Sequence, residues 1–304
     1  FFALAVTRPA SAGLGAHGYC LDYRIKDQTQ LAYRFESPGA VRAIAAIHAR
    51  LGRLPLRQAV GPAEALARFG FKRSLAFDAD WRAAAPADAA AQAVLGVGEV
   101  GSNVQQLALA SLLGQIRQQG AGSFYTGAAA QSLWAAAEQA GVGVDHARWR
   151  QTAPHAVEAG TRALGDHSLH HLPFPTATSV PQAHAETSMA VADGQGNAVA
   201  CVFSMGQAFG TGRLTSGIFL AAAGAPAGEP VLVTNPNTKI LLAVLAGGDT
   251  RQVLEAIADQ TLERKVALTQ ALGTAHGGFV NGIVCVKGIP NYPESCSASA
   301  DPTA

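Results

Sequence analysis

Residues 187–203, TSMAVADGQGNAVACVF, alternate in character on both sides of Asp193-Gly-Gln-Gly-Asn197. Period-two alternation interrupted by an Asp/Gly/Asn turn marks an antiparallel hairpin. A lone hairpin is marginal in water, so this one has to lie in a larger sheet with a covered face. The rest of the chain supplies material for such a sheet. Residues 1–40 read as strands: PASAGLGAHGYCLDYRIKDQTQLAYRF has a Gly-rich approach, a strand, a Lys-Asp-Gln-Thr turn and a second strand. PVLVTNPNTKILLAVLAGGDT reads as further strand, and GGFVNGIVCVKG as a last strand pair.

Between these lies a helical stretch, about residues 41–160. LRQAVGPAEALARFGF, VQQLALASLLGQIRQQG and AAAQSLWAAAEQAGVGV carry apolar residues at three- and four-residue spacing, with stops at Gly70, Gly120 and Gly141. RQVLEAIADQTLERKVALTQAL predicts another helix late in the chain. Residues 151–185, with their prolines and histidines, read as an irregular loop. Strands, then helices, then both again point to α+β layers and not to βαβ alternation. No internal repeat or interdomain linker is visible, so residues 1–304 are expected to form one domain.

Composition excludes several classes. Of the 304 residues, 49% are apolar and 14% charged, which is not the profile of a disordered chain. Lys and Arg number 22 against 21 Asp and Glu, a net charge of +1 that does not suit a generic nucleic-acid binder. No apolar run reaches the roughly 20 residues of a membrane helix. The opening FFALAV has no initiator Met, so the chain is expected to begin inside a longer one, with any signal peptide upstream.

The four cysteines are too few for a disulfide scaffold. Cys20 and Cys201 sit in strand-like runs and read as small buried hydrophobes. Cys285 and Cys296 flank a Gly-Ile-Pro-Asn turn, where a disulfide and two free thiols are both open; a disulfide would imply an oxidising compartment. Without a CxxC, thiolate zinc is not expected. GLGAHG fits GxGxxG, but a strand follows where a dinucleotide site needs a helix. His167, His170 and His171, with Asp166 beside them and His184 downstream, read as solvated loop histidines in preference to metal ligands. His17 reads as structural. No cofactor or metal is expected. Thr187 and Ser188 open a strand, where a hydroxyl becomes a nucleophile only with a base at hand, such as its own α-amino group after a cut.

In order and spacing, several segments resemble the gamma-glutamyltranspeptidase family. PASAGLGAHGYCLDYRIKDQTQLAYRFESPGA is similar to the family's Pro-x-Ser-x-Gly-Ile-Gly-Gly-Gly-Gly-Phe strand, turn and Arg-Glu-x-Ala-Pro strand. LGRLPLRQAVGPAEALARFGF resembles its next helix, and GSFYTGAAAQSL its Phe-Tyr-x-Gly helix start. TSMAVADGQGNAVACVFSMGQAFGTG resembles its Ser-Val-Val-Asp-x-x-Gly-Asn-Ala-Val strand pair and Phe-Gly-Ser-Gly turn. LAGGDTRQVLEAIAD resembles a Gly-Gly helix start, and Ala300-Asp301-Pro302 an Ala-Asp-Pro-Arg ending. The resemblance implies the four-layer αββα sandwich of N-terminal-nucleophile hydrolases. It implies a precursor that cuts itself before a Thr, which then passes a gamma-glutamyl group to water or an amino acid. Residues 1–185 would correspond to the large-subunit part and 186–304 to the small-subunit part. Many bacterial members are periplasmic, and that location is the expectation here.

The site residues do not carry over. Counting back from Asp193, the nucleophilic Thr falls on Glu186, which cannot make the N-to-O acyl shift that starts self-cleavage. Thr187 follows it, and Ser188 takes the place of the usual His. The substrate-carboxylate Arg falls on Phe35, with Arg34 expected on the opposite face. The Asn of the following strand falls on Gly206. FLAAAGAPA replaces the acidic segment that binds the substrate amine, and Leu232 and Val233 replace the Ser-Ser pair. Gly247 and Gly248 match the oxyanion-hole glycines. The expectation is a dry, apolar site and a catalytically inactive protein, kept as a structural or accessory subunit among other protein subunits. The alternative is a divergent self-processing hydrolase or transferase using Thr187 with Gly247 and Gly248. A third reading is a small-molecule or metal-binding module.

Overall fold

The computed structural model describes residues 1–175, 184–224, 226, 228–247, 251–274 and 279–300. In chain order it runs α1 (Phe2–Thr7), β1 (His17–Arg24), β2 (Thr29–Phe35), α2 (Ala40–Leu51), α3 (Leu56–Phe69), β3 (Phe71–Lys72), α4 (Leu75–Ala84), α5 (Ala89–Leu95), β4 (Asn103–Val104), α6 (Leu107–Gln119), α7 (Gly127–Gln139) and α8 (His146–Gln151). Then follow β5 (His155–Glu158), β6 (Gly160–Leu164), β7 (His167–His171), β8 (Glu186–Ala192), β9 (Ala198–Ser204), β10 (Glu229–Asn235), β11 (Ile240–Gly247), α9 (Arg251–Leu262), α10 (Leu268–Thr274), β12 (Val280–Ile289) and β13 (Cys296–Ala300). Among the described residues, no helix is long and apolar enough to cross a membrane.

Two antiparallel sheets organise these elements. One has the order β5-β2-β1-β9-β8, the other β13-β12-β11-β10-β7-β6. Alternation along each strand sends side chains to opposite faces. Tyr19, Leu21, Tyr23 and Val202 of the first sheet meet Leu232, Val244 and Ala246 of the second, forming the layer between them. On the outer face of the first sheet, Tyr33, Phe35 and Phe203 pack against Ala43 and Ile47 of α2 and Phe77 and Trp81 of α4. On the outer face of the second, Val231, Val233 and Leu245 pack against Leu254, Ile257 and Ala258 of α9. The layers run helix, sheet, sheet, helix, which is the expected αββα architecture. The helix stops read from Gly70 and Gly120 hold: each glycine closes its helix with a positive φ.

Five expectations need correction. GGFVNGIVCVKG is not a strand pair: residues 280–289 form the single strand β12, and its partner β13 lies in the polar tail, because the Gly-Ile-Pro-Asn turn follows the run and does not divide it. Residues 2–7 form helix and not strand, because Phe2, Ala5 and Val6 have helical spacing and all three join the helical cluster of Val60, Leu113 and Trp134. The tiny β3–β4 pair inside the helical stretch has no period long enough to be read. Residues 151–185 are not simply a loop: β5, β6 and β7 occupy much of them, and 176–183 lie outside the described residues. The histidines of DHSLHH stand on β7, where alternation is masked because both faces are covered. His170 is buried, with Nδ1 3.0 Å from Thr161 Oγ1 and Nε2 2.8 Å from Thr234 Oγ1. Among the described residues no cluster of His, Cys, Asp or Glu is placed to hold a metal ion.

The fifth correction concerns Cys20 and Cys201, which are directly opposed on β1 and β9 and joined by a disulfide. Period and burial alone do not distinguish a buried thiol from a buried half-cystine. Cys285 and Cys296 are likewise opposed on β12 and β13 and bonded. Denatured, unreduced protein is therefore expected to show no reactive thiol to a chromogenic disulfide reagent, and all four after reduction.

Burial pulls His170 and His17 down from 6.5 to about 4. Between those values the unfolded chain binds protons that the folded chain does not, so stability falls as pH drops from 6.5 toward about 4. Urea midpoints measured across that window should decline on acidification, and His170→Asn should flatten the slope.

Candidate functional site

One end of the first sheet carries the positions that matter. The strand register sets His17 of β1 opposite Ser204 of β9, and Ser204 opposite Glu186 of β8. It also sets Tyr19 opposite Arg34 and Gly18 opposite Phe35. Directly opposed residues share a face. His17, Ser204 and Glu186 therefore stand in one row on the inner face, with Tyr19 and Arg34 on that face beside it. A cavity of about 800 Å³ opens there, lined by His17, Tyr19, Arg34, Glu36, Asp145 and Arg148 among others.

The faces of Arg34 and Phe35 are the reverse of the sequence expectation. Phe35 is 2% exposed and packs outward among Tyr33, Phe203 and the helices. Its ring lies against Gly18, where an added Cβ would come within 2.7 Å of it. Arg34 is exposed and lines the cavity, its guanidinium 5.7 Å from the centre of the Phe174 ring. The cavity thus keeps a cation. Its lining is not the dry, apolar one expected from the sequence, although Ala221, Ala222 and Ala223 do form part of one wall.

Glu186 heads β8, buried, with its Oε2 accepting the Gly228 N–H at 3.3 Å. The ladder runs on past this point, since the Ala185 carbonyl accepts the Met205 N–H at 2.9 Å and prolongs the β8–β9 pairing. Thr187 pairs with Phe203, so strand alternation turns its side chain to the outer, helix-covered face, and it is 3% exposed. Ser188 returns to the inner face, donates to the Ala246 carbonyl at 2.8 Å and accepts from Asn281 Nδ2 at 2.9 Å. This hydroxyl ties β8 to the second sheet.

The other expected site positions are structural in character. Gly206 has a φ of +76°, and a Cβ there would come within 2.6 Å of the Ala222 carbonyl, so the loop after β9 requires glycine. Leu232 and Val233 are fully buried on opposite faces of β10. Gly247 ends β11 opposite Glu229 and Val280; Gly248 lies outside the described residues.

Sequence reasoning missed four features here. His17 lines the cavity while its Nε2 is buried without a hydrogen-bond partner. Burial is the main cause of its lowered pKa, opposed by Glu36. Asp80 of α4 binds His184 Nδ1 at 2.7 Å and Arg8 Nε at 3.1 Å, pinning the approach to β8; burial raises its pKa against both partners. Glu229 pairs with Arg251 at 3.0 Å. Tyr19 is raised chiefly by burial, which Arg34 opposes and Glu229 and Glu186 reinforce. No local spacing signals these contacts, because each joins residues distant in the chain.

The family profile described as gamma-glutamyltranspeptidase matches residues 36–185. The chain is gamma-glutamyltranspeptidase-like. Among solved structures, this gamma-glutamyltranspeptidase-like chain is similar to the cephalosporin acylase from Bacillus halodurans, with a TM-score of 0.76 and 14% identity over 100% of this chain and 88% of that one. It is also similar to the gamma-glutamyltranspeptidase from Pseudomonas nitroreducens complexed with L-DON, with a TM-score of 0.52 and 21% identity over 58% of this chain and 62% of that one. The Helicobacter pylori gamma-glutamyltranspeptidase gives 0.52 and 18%, over 56% and 60%. Identities this low establish a shared fold. No curated protein matches the sequence.

The opposed faces of Arg34 and Phe35 make a clear prediction. Phe35→Ala should cost about 3–5 kcal/mol, as for other buried Phe truncations. Arg34→Gln should stay within about 0.5 kcal/mol of the parent. Urea unfolding of the two variants checks both.

Proposed function

We propose that this gamma-glutamyltranspeptidase-like protein has lost the family reaction and serves as a structural or accessory subunit of a larger assembly. The observation that carries this reading is Glu186 at the head of β8. The resemblance requires a threonine hydroxyl there, first to cut the chain and then to accept the acyl group. A carboxylate has no hydroxyl to add to the preceding carbonyl. Losing a nucleophile typically removes many orders of magnitude of rate.

The geometry around it supports the same reading. Thr187, the substitute nucleophile, lies on the outer face of the strand among packed side chains, away from the cavity. The alanine-rich segment in place of the acidic one lacks carboxylates for a substrate ammonium.

The accessory role is supported by apolar surface in need of cover. Phe69, Leu75, Val97, Val100 and Leu107 are each 45–77% exposed. They lie at or near the ends of the β3–β4 pair, which brings residues 69–75 and 97–107 together. Exposed apolar patches of this kind mark interaction surfaces. Two disulfides and no free cysteine favour an oxidising compartment, in line with a periplasmic location.

The test is turnover of gamma-glutamyl-p-nitroanilide. The protein should release no p-nitroaniline above blank, and Thr187→Ala should behave identically. Turnover that disappears in Thr187→Ala would overturn the reading in favour of a divergent hydrolase.

A further inference from the structure

We propose that a second copy of this chain covers the exposed apolar face around the β3–β4 pair, in a two-fold dimer that seats Phe69 of each protomer in an apolar pit of its partner. This names the partner at that face and rests on the accessory reading.

The face is assembled from both ends of the short ladder, which pairs Phe71 with Val104 and Lys72 with Asn103. Beyond one end, the Gln106 N–H donates to the Ala67 carbonyl at 2.8 Å and Gln105 Nε2 to the Arg68 carbonyl at 3.4 Å. These bonds hold Phe69 beside the start of α6, where Leu107 stands. Beyond the other end, the Gly101 N–H donates to the Arg73 carbonyl at 2.9 Å and brings Leu75 near Val100. Phe69 is 71% exposed and Leu107 63%, so neither side chain is covered by its own chain.

A pit of about 200 Å³ opens at Leu107, walled by Val94, Ala108, Leu214 and Gly217. An apolar cavity of about 150 Å³ accepts a benzene ring. The pit therefore has room for one phenylalanine side chain, and Phe69 is an exposed aromatic on the same face. Binding energy at interfaces concentrates where such an anchor fills such a pocket, inside a ring of contacts that exclude water. Leu75, Val97 and Val100, all exposed, supply apolar contacts for that ring.

Charge points to a copy of the chain as the partner. Around the face, Arg68 pairs with Glu64 at 2.9 Å, Arg82 with Asp78 at 2.7 Å and Arg213 with Asp88 at 3.6 Å. Among the described residues, the exposed Lys72 of β3 and the exposed Glu99 of the turn before β4 have no ion-pair partner, and they do not pair with each other. A two-fold interface sets one patch against itself, so every feature needs its complement on that same patch. This face carries both halves of two complementary sets: Phe69 with the pit, and Lys72 with Glu99. A foreign partner would have to supply a knob, a hole, an anion and a cation of its own at matching places.

The test is sedimentation equilibrium of the intact, non-reduced protein. Twice the monomer mass is expected at concentrations up to about 100 µM, which exceeds the micromolar limit of standard-sized interfaces. Phe69→Asp should raise the dissociation constant about thirtyfold or more, as for an interface anchor. Lys72→Glu and Glu99→Lys should each raise it about tenfold or more, because like charges then face each other. An equimolar mixture of those two variants should dimerise as the parent does, since both contacts across the two-fold again join opposite charges. Three results would each overturn the proposal: a monomer throughout that range, a dimer indifferent to Phe69→Asp, or a mixture that associates no better than either variant alone. Phe69, Lys72 and Glu99 are exposed, so a change in mass is not a folding failure. A monomer without gamma-glutamyl turnover would overturn the dimer and leave the accessory reading standing, whereas a dimer with turnover would overturn that reading alone.

Discussion

The pairing of β9 with β1 on one side and β8 on the other governs everything else in this protein. It decides, residue by residue, which side chains face the space between the sheets and which face the helices. A slip of one residue would exchange the two sets. The register holds Glu186 on the inner face and Thr187 on the outer one, and pairing β1 with β2 in turn holds Arg34 inward and Phe35 outward. The buried disulfide between Cys20 and Cys201 joins the two central strands at directly opposed positions and locks that register covalently.

The same constraint shapes the chemistry of the cavity. Three of the changes that set this chain apart from the family it resembles, at Glu186, Ser188 and Gly206, have each taken on a structural contact. Glu186 accepts a backbone amide from the loop after β9, Ser188 bridges to β11 and β12, and Gly206 lets that loop pass close by. Reverting any one of them would disturb packing as well as chemistry. What remains at the mouth of the cavity is polar and charged, with Arg34, Glu36, Asp145 and Arg148 in its lining. The site is therefore not ordinary core.

Much of the fold was legible in the sequence because period and turn chemistry are local. The Asp193–Asn197 hairpin, the glycine-stopped helices and the strand character of residues 230–246 are all readable at that level. The four-layer arrangement followed from the family resemblance and not from periodicity. The misreadings have physical causes. Residues 155–171 form short strands whose polar side chains hide the alternation, and the buried His170 is satisfied by Thr161 and Thr234, neither adjacent in sequence. At the candidate site, the count back to Asp193 picks out position 186, which stands at the head of β8. The roles of Arg34 and Phe35 were not, because a one-residue ambiguity along a strand inverts the face and only packing resolves it. His17 was missed for a similar reason: its unpartnered nitrogen becomes visible only once the surrounding strands are in place.

The central claim is that the strand junction at Glu186 is never cut. Intact-mass measurement of protein purified from its native source, under non-reducing and then reducing conditions, tests it most directly. The account predicts that the bond before Glu186 and the two after it are unbroken, with one species in both conditions apart from the protons gained at the cysteines. Two fragments separating on reduction, with the second beginning at Thr187 or Ser188, would contradict it and show a nucleophile at work.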